Sequence, residues 1–353
     1  MSEVEPTPQK EQPIKDRYIK KDEKPYSIVN EEPKYYLDDL ADIPDIARTL
    51  PDRDMLFGGL WHKGELCILY GSMNCGKSIL CTQIMMGLAK GSSHLDGQLT
   101  NESKPTKIIY FDAELDYKPY ANRLKDQDGT DIDLSNFRGK CYRMAPNKRQ
   151  KPPEGLTKGQ HTIELIKEAI KRTGVEVVII DNITFINSDN AKAKDAAELI
   201  DMLYALKEEC GISVLVVAHT PKRDSKTPIT ANDLSGSRLL MDACDSSFAV
   251  NAALNDSLVY IKQIKCREKE IRYNAMNVLS CSIGREDSVL QFQFNEITKE
   301  SKLLTITEES IEERRNIVSE RWHQGWSARK ISEEEGLHRQ TVSRDLKALG
   351  LKK

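Results

Sequence analysis

Residues 71–78 read Gly71-Ser72-Met73-Asn74-Cys75-Gly76-Lys77-Ser78, and Ile79 continues them into an apolar run compatible with a helix. Glycines at these positions let backbone N–H groups curl around a polyphosphate at a helix N-terminus. The lysine then reaches the β- and γ-phosphates, and the Ser78 hydroxyl is a ligand for Mg2+. The flanks agree, because the strand-like stretch ELCILY precedes the motif and ILCTQIMMGLA follows it. The spacing predicts a nucleoside triphosphate held by residues 71–79.

Two further stretches carry acids to where such a site needs them. The run GVEVVII ends at Asp181, a carboxylate for the metal at the end of a strand beside the phosphate loop. Asn182 follows it rather than a second acid, so the group that activates water must come from elsewhere. The stretch KIIYFD runs into Ala113-Glu114, which puts Glu114 at the end of another strand, in position for a general base. A solvated loop carboxylate is the alternative reading of Glu114. A third apolar run, VLVVAHT, brings His219 to its end.

Positioning these groups requires an α/β scaffold. Apolar runs at Leu66–Tyr70, Ile108–Phe111, Val175–Ile180 and Ile212–Ala218 alternate with helical patterns after Gly76, near Ile163–Ile170 and near Ala196–Leu206. Near-continuous β-branched runs separated by helices predict a mainly parallel sheet covered on both faces. Shorter candidate strands at Ser247–Val250, Leu258–Ile264, Met276–Cys281 and Val289–Phe292 read as hairpins extending the sheet edge.

The domain plan is a disordered tail over 1–33, rich in Lys, Glu, Pro and Gln, and a docking segment over 34–50. A main domain over 51–300, a linker over 301–310 and a helical module over 311–353 complete it. With 353 residues, 39% hydrophobic and 30% charged, the chain has the composition of an ordinary globular protein. No stretch is long and apolar enough for a membrane span, and the first residues carry no readable export signal, so the expected location is the cytoplasm. The eight cysteines show neither disulfide nor zinc spacing. A net charge of −3 gives no global attraction to nucleic acid, so contacts to DNA must come from local basic patches.

The phosphate loop, the separate strand-ending Glu114, the strand ending in Asp181 and the strand ending in His219 together resemble the RecA-like ATPases. Within them, the chain is similar to plasmid RepA-type and DnaB-type hexameric helicases over roughly residues 50–295. The resemblance implies that Glu114 polarises the attacking water and that His219 senses the γ-phosphate. It further implies that Lys265 and Arg267, in the sequence KCREKE after LVYIKQI, act in trans on the ATP of a neighbouring subunit. Arg123 in YANRLK stands where related proteins stack a side chain on adenine, with Tyr120 as the alternative. The segment after His219 would line a central channel, making Lys222, Arg223 and Lys226 contacts to single-stranded DNA; a basic surface loop is the other reading. The large N-terminal collar of DnaB-type proteins is missing from the resemblance, which favours the smaller RepA-type arrangement.

Residues 311–350 read IEERRNIVSERWHQGWSARKISEEEGLHRQTVSRDLKALG, with Trp322, Trp326, Ile331, Leu337, Val342, Leu346 and Leu349 at helical spacing and Gly336 at a turn. The pattern of Ala328, Ile331, Gly336, Thr341, Val342, Arg344 and Leu346 resembles resolvase-like helix-turn-helix modules. The resemblance points Arg339, Gln340, Thr341, Ser343 and Arg344 toward a major groove. Arg339, Arg344, Lys347, Lys352 and Lys353, opposed by Asp345 alone, add a local positive patch. A helical hairpin for protein contacts is the alternative.

Three functional readings follow. The first is a hexameric DNA helicase or translocase of a plasmid or mobile element, with ATP and Mg2+ as ligands, single-stranded DNA in the channel and duplex at the C-terminal module. The second is an ATP-switched DNA-binding regulator or replication initiator that does not unwind. The third is a recombinase-like filament, since head-to-tail contacts can close into rings or stay open.

Overall fold

The computed structural model describes residues 37–147, 149–187, 193–224, 227–235, 238–254, 258–285, 289–305, 308–335, 337 and 339–352. The expected tail at 1–33 and the candidates Lys226, Gly336 and Lys353 lie outside the described residues. The chain divides into two units, residues 1–53 and 54–353. In the first, the short helix α1 (Ile43–Thr49) starts at a proline-bearing turn, and none of its residues is buried.

The second unit is built on a nine-stranded sheet of order β3-β2-β4-β5-β1-β6-β7-β8-β9. Its parallel part consists of β1 (Leu66–Gly71), β2 (Ile108–Asp112), β3 (Cys141–Met144), β4 (Val177–Asp181), β5 (Ser213–His219) and β6 (Ser246–Ala252). Three antiparallel strands, β7 (Leu258–Cys266), β8 (Val278–Gly284) and β9 (Gln291–Thr298), extend it beyond β6. The expected hairpins begin at β6, which pairs antiparallel with β7 on one side and in parallel with β1 on the other.

Strand side chains alternate between two apolar layers, as a period of two requires. Cys67, Leu69, Ile108, Tyr110, Val177 and Ile179 pack with Leu80, Cys81, Ile84 and Leu88 of α2 (Lys77–Lys90). Leu66, Ile68, Ile109, Phe111, Val178 and Ile180 pack on the other face with residues of two long helices. These are α4 (Lys158–Thr173), giving Ile163, Ile166 and Ile170, and α6 (Ala193–Cys210), giving Leu199, Leu203 and Leu206. Each such buried Leu, Ile or Val stabilises the fold by roughly 1.5–3 kcal/mol, so both faces hold the sheet rigid.

Shorter helices fill the connections: α3 (Tyr117–Arg123), α5 (Ile183–Ile186), α7 (Arg238–Ala243) and α8 (Glu300–Leu303). The C-terminal segment forms α9 (Glu308–His323), α10 (Ala328–Glu334) and α11 (Arg339–Ala348) around Val318, Ile331, Leu337, Val342 and Leu346, with Trp322 and Trp326 at the margin. Among the described residues, no helix is long and apolar enough to cross a membrane.

Candidate active site at the phosphate loop

The loop of residues 71–78 leaves the sheet where β1 lies between β5 and β6, with Gly71 opposite His219 on one side and Val250 on the other. A Cβ at Gly71 would stand 1.9 Å from the Val250 carbonyl oxygen, so only glycine lets the strands close here. Gly76 takes φ of +87° and a Cβ on it would meet Ile283 Cδ1 at 2.5 Å, which makes glycine obligatory at the turn into α2. Lys77, the first residue of α2, is buried, and its Nζ donates to the carbonyls of Gly71 (2.9 Å) and Ser72 (2.7 Å). The ammonium thus lies across the loop, beside the unpaired amides and positive dipole end of a fourteen-residue helix. Met73 and Asn74 are exposed at the tip, whereas Cys75 is buried and gives its thiol to the Ser72 carbonyl at 2.9 Å. Burial raises the Cys75 thiol above its ordinary value, against the pull of Lys77. Ile79 packs against the core below.

The ends of β2, β4 and β5 bring the acids and the histidine to this same edge of the sheet. Asp181 is buried and accepts from Tyr110 Oη at 2.6 Å, and the Ser78 hydroxyl lies near enough to favour its charged form. Burial raises the Asp181 carboxyl above its ordinary value; Ser78 and Tyr110 oppose this, and the charges of Glu114 and Asp112 add to it. A serine hydroxyl near a carboxylate offers two hard oxygens, a donor set that fits Mg2+. Glu114 stands in the turn after β2, where Asp112 Oδ1 accepts from the amides of Glu114 (3.1 Å) and Leu115 (3.0 Å). Arg143 of β3 fastens that turn through Asp112 Oδ2 at 3.0 Å and through the Leu115 carbonyl.

The Glu114 side chain is 49% exposed, and its Oε1 accepts from Asn182 Nδ2. Asn182 Nδ2 also faces His219 Nε2 at 3.1 Å, and His219 Nε2 lies 3.5 Å from Glu114 Oε1. The amide is a donor, so in this contact His219 Nε2 is the acceptor. The Nδ1 of His219 is buried without a hydrogen-bond partner among the described residues. Asn182 is thus the joint between the acid and the histidine, a part the sequence reading noted only as the absence of a second acid. Tyr110, Asp112 and Arg143 were likewise missed, since nothing in the run KIIYFD or in CYRM marks them as supports.

The remaining candidates are spread more widely. Arg123 closes α3; its carbonyl accepts from Leu290 N–H at 3.2 Å, and its Nη1 is buried without a hydrogen-bond partner among the described residues. Tyr120 is buried in the apolar layer with Met85 and Phe137, has Arg143 over its ring at 4.8 Å, and lines a cavity with Met86, Leu124 and Leu134. Lys222 is exposed. Arg223 turns inward, bonding Asp233 Oδ1 (3.1 Å) and the carbonyls of Thr227 (2.7 Å) and Pro228 (2.7 Å). Lys265 and Arg267 lie at the sheet edge opposite the phosphate loop, because β7 runs antiparallel and pairs Lys265 with Ser247 near the start of β6. Lys265 Nζ donates to the carbonyls of Met241 (2.7 Å) and Asp242 (2.8 Å), and Arg267 Nη2 to that of Asp242 (2.8 Å).

In the C-terminal helices, Arg339, Gln340 and Arg344 are exposed on α11, with Thr341 and Ser343 half-buried. Leu349 is half-buried and outside the apolar cluster of these helices. Asp345, which the sequence sets against the positive patch, is buried and faces inward. Arg314 holds it at 2.5 and 3.0 Å and Arg315 at 3.5 Å, so its charge does not offset the exposed cations of α11.

This sheet, with a phosphate loop at the end of its central strand, is that of a P-loop NTPase of RecA-like fold. Residues 31–225, just over half of the chain, match the model of the AAA domain family, and the chain belongs to that family. Among solved structures it is similar to a KaiC-like protein of the hyperthermophilic archaeon Pyrococcus horikoshii OT3, with 15% sequence identity and a TM-score of 0.45, over 67% of this chain and 93% of that one. No curated protein matches the chain.

Proposed function

We propose that the chain is an ATPase that couples hydrolysis to DNA, working as a ring-forming helicase or translocase of RepA type in replication or mobilisation of a plasmid or mobile element. The observation that carries this reading is the convergence of Glu114, Asn182 and His219 beside a glycine-shaped phosphate loop, with Ser78 near Asp181. The α2 amides and Lys77 bind the β- and γ-phosphates. Ser78 and Asp181 would hold Mg2+, which would neutralise charge on the phosphate oxygens. Glu114 orients the attacking water and takes its proton, with Asn182 fixing the carboxylate. His219 reads the γ-phosphate, and Arg123 lies against the base. Lys265 and Arg267 point away from their own phosphate loop, which supports a contact with the ATP of a neighbouring copy. Lys222 contacts single-stranded DNA, and Arg339, Gln340, Thr341, Ser343 and Arg344 read a duplex site.

A second reading, an ATP-switched regulator or initiator, is favoured by Arg223, whose guanidinium is spent inside its own loop instead of facing a strand. One experiment separates the two: ATP turnover with and without single-stranded oligonucleotide, paired with a forked duplex. The motor reading expects stimulation and unwinding, both lost in Lys77→Ala. Turnover indifferent to single strands, with ATP-dependent binding of duplex, would instead establish the regulator. Deleting residues 307–353 is expected to weaken duplex binding and spare stimulation by single strands.

A further inference from the structure

The sheet contains a polar line that the hydrolysis site does not use. Ser72 Oγ donates to Asn251 Oδ1 (3.3 Å), Asn251 Nδ2 donates to Tyr260 Oη (3.0 Å), and Tyr260 donates to Glu300 Oε1 (2.9 Å). Asn251 of β6, Tyr260 of β7 and Glu300 of α8 are all fully buried, and Tyr260 sits within an apolar layer. Burying such groups costs stability unless each is paired, and apolar residues of similar volume would hold the sheet as well or better. Here every donor points the same way, from the phosphate loop toward the carboxylate, an arrangement in which each bond polarises the next.

Both ends of this line meet moving parts of the proposed motor. At one end, the Ser72 carbonyl is what Lys77 Nζ grips at 2.7 Å, so any change in what that ammonium binds is felt at Ser72. At the other, Glu300 Oε1 accepts from Ile229 N–H at 2.9 Å, while Lys262 Nζ bonds Glu300 Oε2 (2.5 Å) and the Ile229 carbonyl (2.8 Å). Both backbone groups of Ile229 are therefore held by the end of the line. Ile229 closes the segment that begins at Thr220, whose own Oγ1 lies 3.5 Å from Ser72 Oγ. The segment carrying Lys222 and Arg223 is thus anchored to Ser72 at its start directly and at its finish through three buried side chains. Burial, and then the Glu300 charge, push the Tyr260 phenol above its ordinary range against the Asn251 bond, which keeps it a donor.

We propose that Asn251, Tyr260 and Glu300 are positioning residues that carry the state of the phosphate loop to the segment from Thr220 to Ile229, so that nucleotide at Ser72 sets how that segment grips a single strand. The proposal rests on the ATP-and-DNA reading above and adds its coupling path. None of the three touches nucleotide; they act through Ser72 and Ile229.

The test compares full-length wild type with Tyr260→Phe, which removes one hydroxyl, and with Glu300→Gln, which keeps the side-chain shape. Affinity for a fluorescent oligo-dT is measured with and without a non-hydrolysable ATP analogue, alongside hydrogen exchange of peptides containing Ile229. Wild type is expected to change its strand affinity by about tenfold on binding nucleotide, with the reciprocal change in nucleotide affinity that linkage demands. Protection at Ile229 should change with it. In the variants, affinity for nucleotide alone and basal turnover should stay within about twofold of wild type, while the coupling factor falls to about 1 and Ile229 stops responding. Should Tyr260→Phe fold poorly, Glu300→Gln and the wild-type exchange data decide. Variants that retain tenfold coupling overturn the relay and leave the ATPase reading standing. A wild type that binds nucleotide with no response at Ile229 does the same. A wild type that binds no nucleotide overturns the ATPase reading instead, and the relay with it.

Discussion

The two edges of the parallel sheet use the same kinds of side chain to opposite ends. At the edge where the strands begin, Glu65 Oε2 accepts from His62 N–H and Ser246 Oγ, both at 2.8 Å, and Asp245 Oδ2 accepts from Leu66 N–H at 2.9 Å. Lys207 and Arg267 flank Asp245 at 3.4 and 3.3 Å. Two of these contacts end on backbone amides and the others on Ser246, Lys207 and Arg267, which ties the loop before β1 to the start of β6 and makes the acids there joints. His62, Glu65 and Glu268 do bring possible ligand atoms within 4.8 Å of one another, but His62 Nε2 has no partner among the described residues, and a ligating imidazole fixes its second nitrogen. At the edge where the strands end, Glu114 is half exposed and bonded to a rotatable amide, and His219 keeps a ring nitrogen unspent. An acid enclosed by several partners, backbone amides among them, is structural; one half exposed and bonded to a side chain that can be displaced is free to do chemistry.

The sharpest way to break this contrast is to neutralise one acid at each edge. Glu114→Gln is expected to lower ATP turnover about 10³-fold, roughly 4 kcal/mol in the barrier, with nucleotide affinity and melting temperature little changed. Glu65→Ala leaves two buried donors unpaired, at about 1–3 kcal/mol each, and should lower the melting temperature while the folded fraction keeps its specific turnover. Steady-state turnover beside thermal denaturation reads both, and the exchange of these two outcomes would abolish the distinction.

Buried joints away from the reactive edge can also be neutral, and pH exposes them. His94 is buried, its Nε2–H donates to the Leu56 carbonyl at 3.1 Å, and burial lowers its pKa to about 4, against the carbonyl's opposing pull. The unfolded chain binds this proton at about 6.5, so the native state holds fewer protons between the two values. The stability tied to His94 is therefore complete above about 6.5 and is lost as pH falls toward 4, up to about 3 kcal/mol. Denaturant melts of wild type and His94→Gln across that window should diverge by this amount, the carboxylates being common to both proteins. Parallel pH profiles would show that the imidazole is charged in the folded state.

Much of the fold and part of the site were legible because both rest on local patterns. The buried strands β1, β2, β4 and β5 are β-branched runs with few polar interruptions, and they end on Gly71, Asp112, Asp181 and His219. Strand β3 is Cys-Tyr-Arg-Met at the sheet margin, half-buried throughout, so no periodicity announces it. Helices α3 and α7 are too short for their patterns to stand out. Asn182 could be read in the sequence as a missing acid but not as a bridge, since its partners are 68 and 37 residues away. The inward turn of Arg223 and Asp345 is equally non-local: a charge in a sequence does not say whether its partner will be water, a carbonyl or two arginines.

The smallest effect tests whether the contrast concerns partners or mere position. Thr157 caps α4 beside the reactive edge, where Gly159 passes so close to Ile186 that a Cβ would sit 2.6 Å from its carbonyl oxygen. Its Oγ1 accepts from Gln160 N–H at 3.2 Å, and the Gln160 side chain accepts from Thr157 N–H at 3.0 Å. This reciprocal pair ends on backbone amides, as the bond from His62 N–H to Glu65 does, although it lies at the same edge of the sheet as Glu114. Thr157→Ala should therefore cost about 1 kcal/mol of stability, recovered in Thr157→Ser, and leave turnover unchanged. A fall in turnover that Thr157→Ser fails to restore would mean that nearness to the phosphate loop, and not the kind of partner, decides which polar groups serve the reaction.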